Sequence, residues 1–211
     1  MKAVCLISSL VLMLIGLYIG KISCKQTGLR DQSFARIIAE RHSGYRFDQT
    51  KSITIDQLQQ LMNAARSAPS SYNDQPWSFI ICDRATNLAA FEQVVAGLDE
   101  FNQKWAAKAS LLVLCIAYNN SHKGQFNHWA QYDTGAASFG MMLQATALGL
   151  MAHQMGGFDA IKLKNNFKLP ESCVVMSVMA IGYPDTEEQY KRSRKPLSDN
   201  FFVGEWGHGI S

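Results

Sequence analysis

Apolar residues recur along the chain in two rhythms, one of helical spacing and one of short unbroken runs. Residues 33–42 (SFARIIAERH) read as a short helix. In the stretch from Asp56 to Ala68, Leu58, Leu61, Met62 and Ala65 fall on one helical face, and Pro69 stops it. Trp77 to Cys82 (WSFIIC) reads as a strand. Thr86 to Gly97 is helical, with Leu88, Phe91 and Val95 on one side. Leu111 to Tyr118 (LLVLCIAY) is a buried strand by length and composition. The longest predicted helix runs from about Asn127 to Leu148. It has few charges and many small residues, so it should be central and open to close approach by other helices. A short strand over 150–155 is broken by Gly156-Gly157, a short helix follows over 159–167, and CVVMSVMAIGY (173–183) is the second strong strand. The elements mix without a regular βαβα alternation, which predicts an α+β class.

The pattern differs at the N-terminus. From Ala3 to Gly20 the chain is apolar and uncharged. Residues 1–32 hold Lys2, Lys21, Lys25 and Arg30 against Asp31, which accounts for the whole net charge of +3. The remainder carries 16 basic and 16 acidic residues, 20 less four and 17 less one. The chain therefore divides into an N-terminal signal or anchor segment, 1–32, and a neutral body, 33–211. Such a body implies no basic face for nucleic acid, and a chain with 47% hydrophobic residues overall is not disordered. A cleaved export signal, a retained anchor and a start codon placed too early all fit the leader. Cys24 is a poor lipidation site, with Lys21 three positions before it. The heavier positive flank downstream of the apolar run favours an anchor with the body in the cytoplasm, export being the alternative. Membrane contact is expected only through residues 3–20.

Three body cysteines, Cys82, Cys115 and Cys173, each sit in an apolar run. They read as buried thiols and not as a disulfide framework or zinc site. His122, His128, His153 and His208 have no metal-ligand spacing, and each reads as a local hydrogen-bonding or surface residue. Asp133, on the long helix, reads as a capping or packing partner.

Four segments concentrate polar chemistry. Arg41-His42-Ser43-Gly44-Tyr45-Arg46-Phe47 suits an anion such as a phosphate, with forked guanidinium donors, a hydroxyl and a glycine for close approach. The same residues also suit a helix C-terminus answering its dipole. Pro69-Ser70-Ser71-Tyr72-Asn73-Asp74-Gln75-Pro76-Trp77 is dense in amides and hydroxyls able to read the edge of a flat heterocycle, or is simply a well-capped loop. Met155-Gly156-Gly157-Phe158 offers unobstructed main-chain amides. Lys191-Arg192-Ser193-Arg194-Lys195-Pro196 is a second phosphate grip or a solvated basic run.

Taken in order, R-H-S-x-x-x-F, P-S-S-x-N-x-Q-P-W, M-G-G-F-D and R-S-R-K-P-L resemble the nitroreductase family of FMN-dependent oxidoreductases, over about residues 36 to 207. The resemblance implies a central, mostly antiparallel sheet flanked by helices, in a homodimer with FMN at the subunit interface. It implies that Arg41, His42 and Ser43 hold the FMN phosphate and ring edge, and that Arg192 and Arg194 complete the phosphate site. Asn73, in the loop with Pro69, Ser70 and Gln75, would meet the flavin or its ribityl chain. Gly156 and Gly157 would lie near the ring. The family usually has a basic residue at Tyr45, a place that Arg46 could fill instead. Many members are acidic at Gly156, so that contact would be main-chain only.

The implied activity moves two electrons from NAD(P)H to a nitroaromatic, a quinone or an activated carbonyl or alkene, by a ping-pong mechanism. No side chain is assigned as nucleophile or base, because the cofactor carries the chemistry. The alternative is a flavin-binding or flavin-sequestering protein with little turnover. The long small-residue helix is the natural core of the dimer.

Overall fold

The structure, a computed structural model, describes residues 34–185 and 192–210. The apolar leader expected at 1–32 lies outside them, as do Cys5 and Cys24. Among the described residues no helix is long and apolar enough to cross a membrane.

Strand β2 (Leu111–Tyr118) shows how the sequence builds the core. Leu112, Leu114 and Ile116 join one apolar cluster, and Leu111, Val113 and Cys115 join another. Alternate residues of a strand point to opposite faces, so both faces of this strand are covered. That is why it reads as an unbroken apolar run and not an alternating one. β4 (Cys173–Gly182) divides in the same way, Val178 and Ala180 to one side, Met179 and Ile181 to the other. With β1 (Trp77–Asp83) and β3 (Met151–Met155) they form a four-stranded sheet in the order β1-β2-β4-β3, every pairing antiparallel. Trp77 lies opposite Ala117, and Met151 opposite Gly182.

Helices cover the two faces. On one side Leu61 and Ala65 of α2 (Ile55–Arg66) and Met141, Met142 and Ala145 of α5 (Ala130–Ala147) pack on the sheet. On the other lie Phe91 and Val94 of α3 (Leu88–Gly97), Trp105 and Ala106 of α4 (Glu100–Ala106), and Leu163 of α6 (Ala160–Asn166). A short α1 (Phe34–Glu40) packs against α5. The α+β class and the flanked antiparallel sheet are as expected.

Local chemistry sets the boundaries. α2 starts on a reciprocal capping box: the Thr54 side chain accepts from Gln57 N–H at 3.2 Å, and Gln57 Oε1 accepts from Thr54 N–H at 3.0 Å. α5 begins at Ala130 and not Asn127, because Asn127 Oδ1 instead accepts from Trp129 N–H at 2.9 Å. α4 was not anticipated. Its signal is Asp99, an N-cap that accepts from Asn102 N–H at 2.8 Å, followed by Glu100 in the first turn. A seven-residue helix is too short for its periodicity to stand out.

α5 is central as expected, and a Cβ on Gly140 would sit 3.0 Å from Ala64 O, so this glycine lets α2 and α5 approach closely. Its burial is one-sided, however. Tyr132, Gly135 and Phe139 form an exposed stripe at helical spacing.

Candidate functional site

The segment after α1 is held from three directions. The last carbonyls of a helix lack intrahelical donors. Here Arg192 Nη1 supplies one, donating to Ile38 O and Arg41 O, each at 2.9 Å. Residues at opposite ends of the chain thus meet, as the two basic segments were expected to do. Arg41 Nη1 donates to Ser43 Oγ at 3.3 Å, and His42 Nδ1 to Glu40 O at 2.9 Å. From β3, His153 Nδ1 donates to Gly44 O at 2.9 Å. From α4, Trp105 stacks on Phe47, their ring centres 6.2 Å apart.

Tyr45 and Arg46 face different neighbours. The Tyr45 ring meets Trp105 edge-on at 5.2 Å and His153 at 5.0 Å. Arg46 Nη2 pairs with Asp185 Oδ2 at 3.1 Å. His153 is therefore no local or surface residue, since its hydrogen bond reaches a residue 109 positions away and its ring lies 4.6 Å from that of Trp105. Arg194 is exposed, and its Nη1 donates to Ser193 O at 2.7 Å.

The loop between Pro69 and Pro76 carries three left-handed residues, Tyr72 (φ 53°), Asn73 (φ 56°) and Gln75 (φ 49°). Asn tolerates this region, but Tyr and Gln adopt it only when the surroundings impose it. The constraints are visible. Ser70 Oγ accepts from Gln75 N–H at 3.0 Å, and Gln75 Nε2 donates to Asn73 O at 3.1 Å. Asp133, buried on α5, accepts from Ser71 N–H at 3.0 Å. Its expected packing role is thus to hold this loop.

Asp74 is the second anchor. Its Oδ1 accepts from His122 N–H at 3.0 Å and from His122 Nδ1 at 2.5 Å, and its Oδ2 accepts from Asn127 Nδ2 at 2.7 Å. The His122 main-chain N–H, and then its imidazole, hold the Asp74 carboxyl below its ordinary value. His122 is exposed, but its bond is not local. The pair was missed because its members lie in separate loops. The available signal was the run of polar and aromatic residues from Asn119 to Trp129, between a strand and the central helix.

The two glycines after β3 differ. Gly157 O accepts from Asp99 N–H at 3.0 Å and from Asn102 Nδ2 at 3.1 Å. A Cβ at Gly157 would collide with the Asp99 carboxylate, whereas one at Gly156 would meet nothing within 4 Å. Gly157 serves packing, and Gly156 leaves open ground at the strand end.

A cleft of about 530 Å³ lies beside the left-handed loop, lined by Tyr72, Asp74, His122, Phe126 and Trp129 among others. Among the described residues no group of three or more His, Cys, Asp or Glu could hold a metal ion. Cys82, Cys115 and Cys173 are free, buried thiols, and burial pushes that of Cys82 up to about 11.

Residues 38–183 match the model of the nitroreductase family. The chain is 26% identical over 206 residues to an oxygen-insensitive NAD(P)H nitroreductase of Enterobacter cloacae, covering 77% of this chain and 95% of that protein. It is 32% identical over 108 residues to a CLA biosynthesis enone reductase of Lactiplantibacillus plantarum, covering 51% of this chain and 48% of that one. A crystal structure of an oxidoreductase containing FMN superposes with a TM-score of 0.75 at 31% identity, covering 81% of this chain and 91% of that chain.

Proposed function

The chain belongs to the nitroreductase family, and from that premise we propose that it passes two electrons from NAD(P)H to a nitroaromatic, a quinone or an activated carbonyl or alkene, the two substrates reacting in turn. FMN, its cofactor, supplies the chemistry by holding the electron pair between the two substrates. The polypeptide supplies binding, orientation and charge.

The donor set fits such a group. Arg41, His42 and Ser43 hold the phosphate with Arg192 and Arg194, the guanidiniums offering forked donors and Ser43 a hydroxyl. One observation carries this assignment: Arg192 donates to Ile38 O and Arg41 O, which sets the C-terminal basic segment against the Arg41–Ser43 segment. Asn73 and Gln75 present exposed amides from a loop whose left-handed backbone is imposed by its anchors, with Pro69 and Ser70 at its start. Gly156 admits a flat ring close to the main chain, Gly157 fixes the strand end on α4, and Tyr45 borders the site from the aromatic cluster. The open ground over Gly156 and the open cleft favour turnover over sequestration of the flavin.

The functional unit is a homodimer. Supporting this are the uncovered stripe on α5 and a C-terminal arm with exposed Phe201, Val203 and Trp206, the last 90% exposed. The apolar run 3–20 holds the protein at a membrane with the body in the cytoplasm. Membrane fractionation with protease protection tests that placement, and a body that added protease digests while the membrane is still intact argues instead for export.

Titration of FMN by fluorescence tests the cofactor site. Arg41→Ala should weaken binding by about 1.5–3 kcal/mol, roughly 10- to 150-fold. Unchanged affinity would remove Arg41 from the phosphate site.

A further inference from the structure

The cleft beside the loop 69–75 has features that holding a flavin does not require. Among the described residues that line it, Asp74 is the only acid, and its side chain is 5% exposed. Three donors, two from His122 and one from Asn127, occupy both of its oxygens. The same bonds orient the imidazole. With Nδ1 on Asp74, Nε2 lies on the opposite edge of a ring that is 60% exposed. With Nδ1 committed to Asp74, Nε2 is the ring atom available to a ligand.

Lys123 follows on the same rim, exposed. Tyr72, Phe126 and Trp129 present large exposed rings around the concavity, and His128 stands edge-on to Phe126 with ring centres 4.9 Å apart. Sites for small molecules combine an apolar, aromatic wall with a few convergent polar groups. Here the convergent groups are the Lys123 ammonium and the His122 imidazole.

We propose that this cleft binds planar organic carboxylates, with His122 and Lys123 taking the carboxylate and Phe126 and Trp129 the ring, and that it selects such molecules as electron acceptors; the last clause rests on the oxidoreductase reading above. Asp74 is a positioning residue, acting only through His122 and Asn127.

Calorimetric titration of the full-length, FMN-loaded protein with naphthoate and with its neutral isostere naphthamide tests the proposal. Naphthoate should bind about five- to tenfold more tightly at low salt, and the preference should shrink at about 0.5 M salt as the charges are screened. Lys123→Ala and His122→Asn should each cut the preference about threefold and leave naphthamide binding unchanged. His122→Asn retains an amide donor for Asp74, so the loop stays anchored. Phe126→Ala should weaken both ligands. The same ordering should appear in kcat/KM for nitrobenzoate against nitrobenzamide. Equal affinity for the two naphthyl ligands, no binding of either, or a preference that survives in the His122→Asn, Lys123→Ala double variant overturns the proposal. Flavin absorbance of each preparation separates the two readings. A flavin-free protein that still prefers naphthoate keeps the site and loses the oxidoreductase, while a flavin-loaded one without the preference does the reverse.

Discussion

Gly156 and Gly157 are adjacent, yet the space around them gives them separate roles. At Gly157 a methyl group would strike Asp99, the N-cap of α4, and come within 2.9 Å of Asn102 Nδ2. Gly157→Ala should therefore cost about 1–3 kcal/mol in urea unfolding. Gly156→Ala has room and should stay within about 0.5 kcal/mol of the parent. Asp74 makes a prediction of another kind. Its folded-state pKa is depressed, so its contribution is present above the ordinary carboxylate range and is lost as pH falls through the lowered value. Acid should open the loop 121–127 first, and Asp74→Ala should open it at neutral pH, with tryptic cleavage after Lys123 faster by roughly tenfold. Equal cleavage rates in the two proteins would show that Asp74 does not hold the loop. Sequence reasoning reached Asn73 and Gln75 because amides in a proline-framed loop suit a heterocycle. It passed over Asp74, their neighbour, because that residue's meaning lies in His122 and Asn127, and no periodicity links separate loops.

Arg192 acts at the scale of an element, since one guanidinium nitrogen serves two carbonyls at the end of α1. Arg192→Ala should loosen α1 and the Arg41–Ser43 segment together, lowering FMN affinity by at least about tenfold. Arg192→Lys should recover little of this, because a compact ammonium lacks the fork needed to serve carbonyls and a phosphate at once. Full recovery by Lys, read in the same FMN titration, would reduce Arg192 to a source of charge. The strands were legible because a sheet covered on both faces demands unbroken apolar runs, as in LLVLCIAY. α1, α2, α3 and α6 were legible within a residue or two, since caps and prolines mark their ends. α4 was not, being too short to show a period. The clamp of Tyr45, Phe47, Trp105 and His153 was likewise hidden, because its rings come from three separate stretches of chain.

Among the described residues, apolar surface stays uncovered on α5 and along the C-terminal arm, while the sheet is buried on both faces. A second copy is the covering that a two-fold, self-complementary surface accepts. Phe139→Glu should turn a dimer into a monomer in sedimentation analysis and weaken FMN retention, because the cofactor site is expected at the subunit interface. A Phe139→Glu protein that still sediments as a dimer would place the interface elsewhere. The central claim, that this fold is an FMN oxidoreductase driven by NAD(P)H, is tested most directly by one spectrum. The purified full-length protein, given FMN and then NADH or NADPH without oxygen, should retain the flavin through gel filtration, and its yellow absorbance should bleach. A protein that takes up no flavin, or whose bound flavin neither nucleotide reduces, would contradict the account.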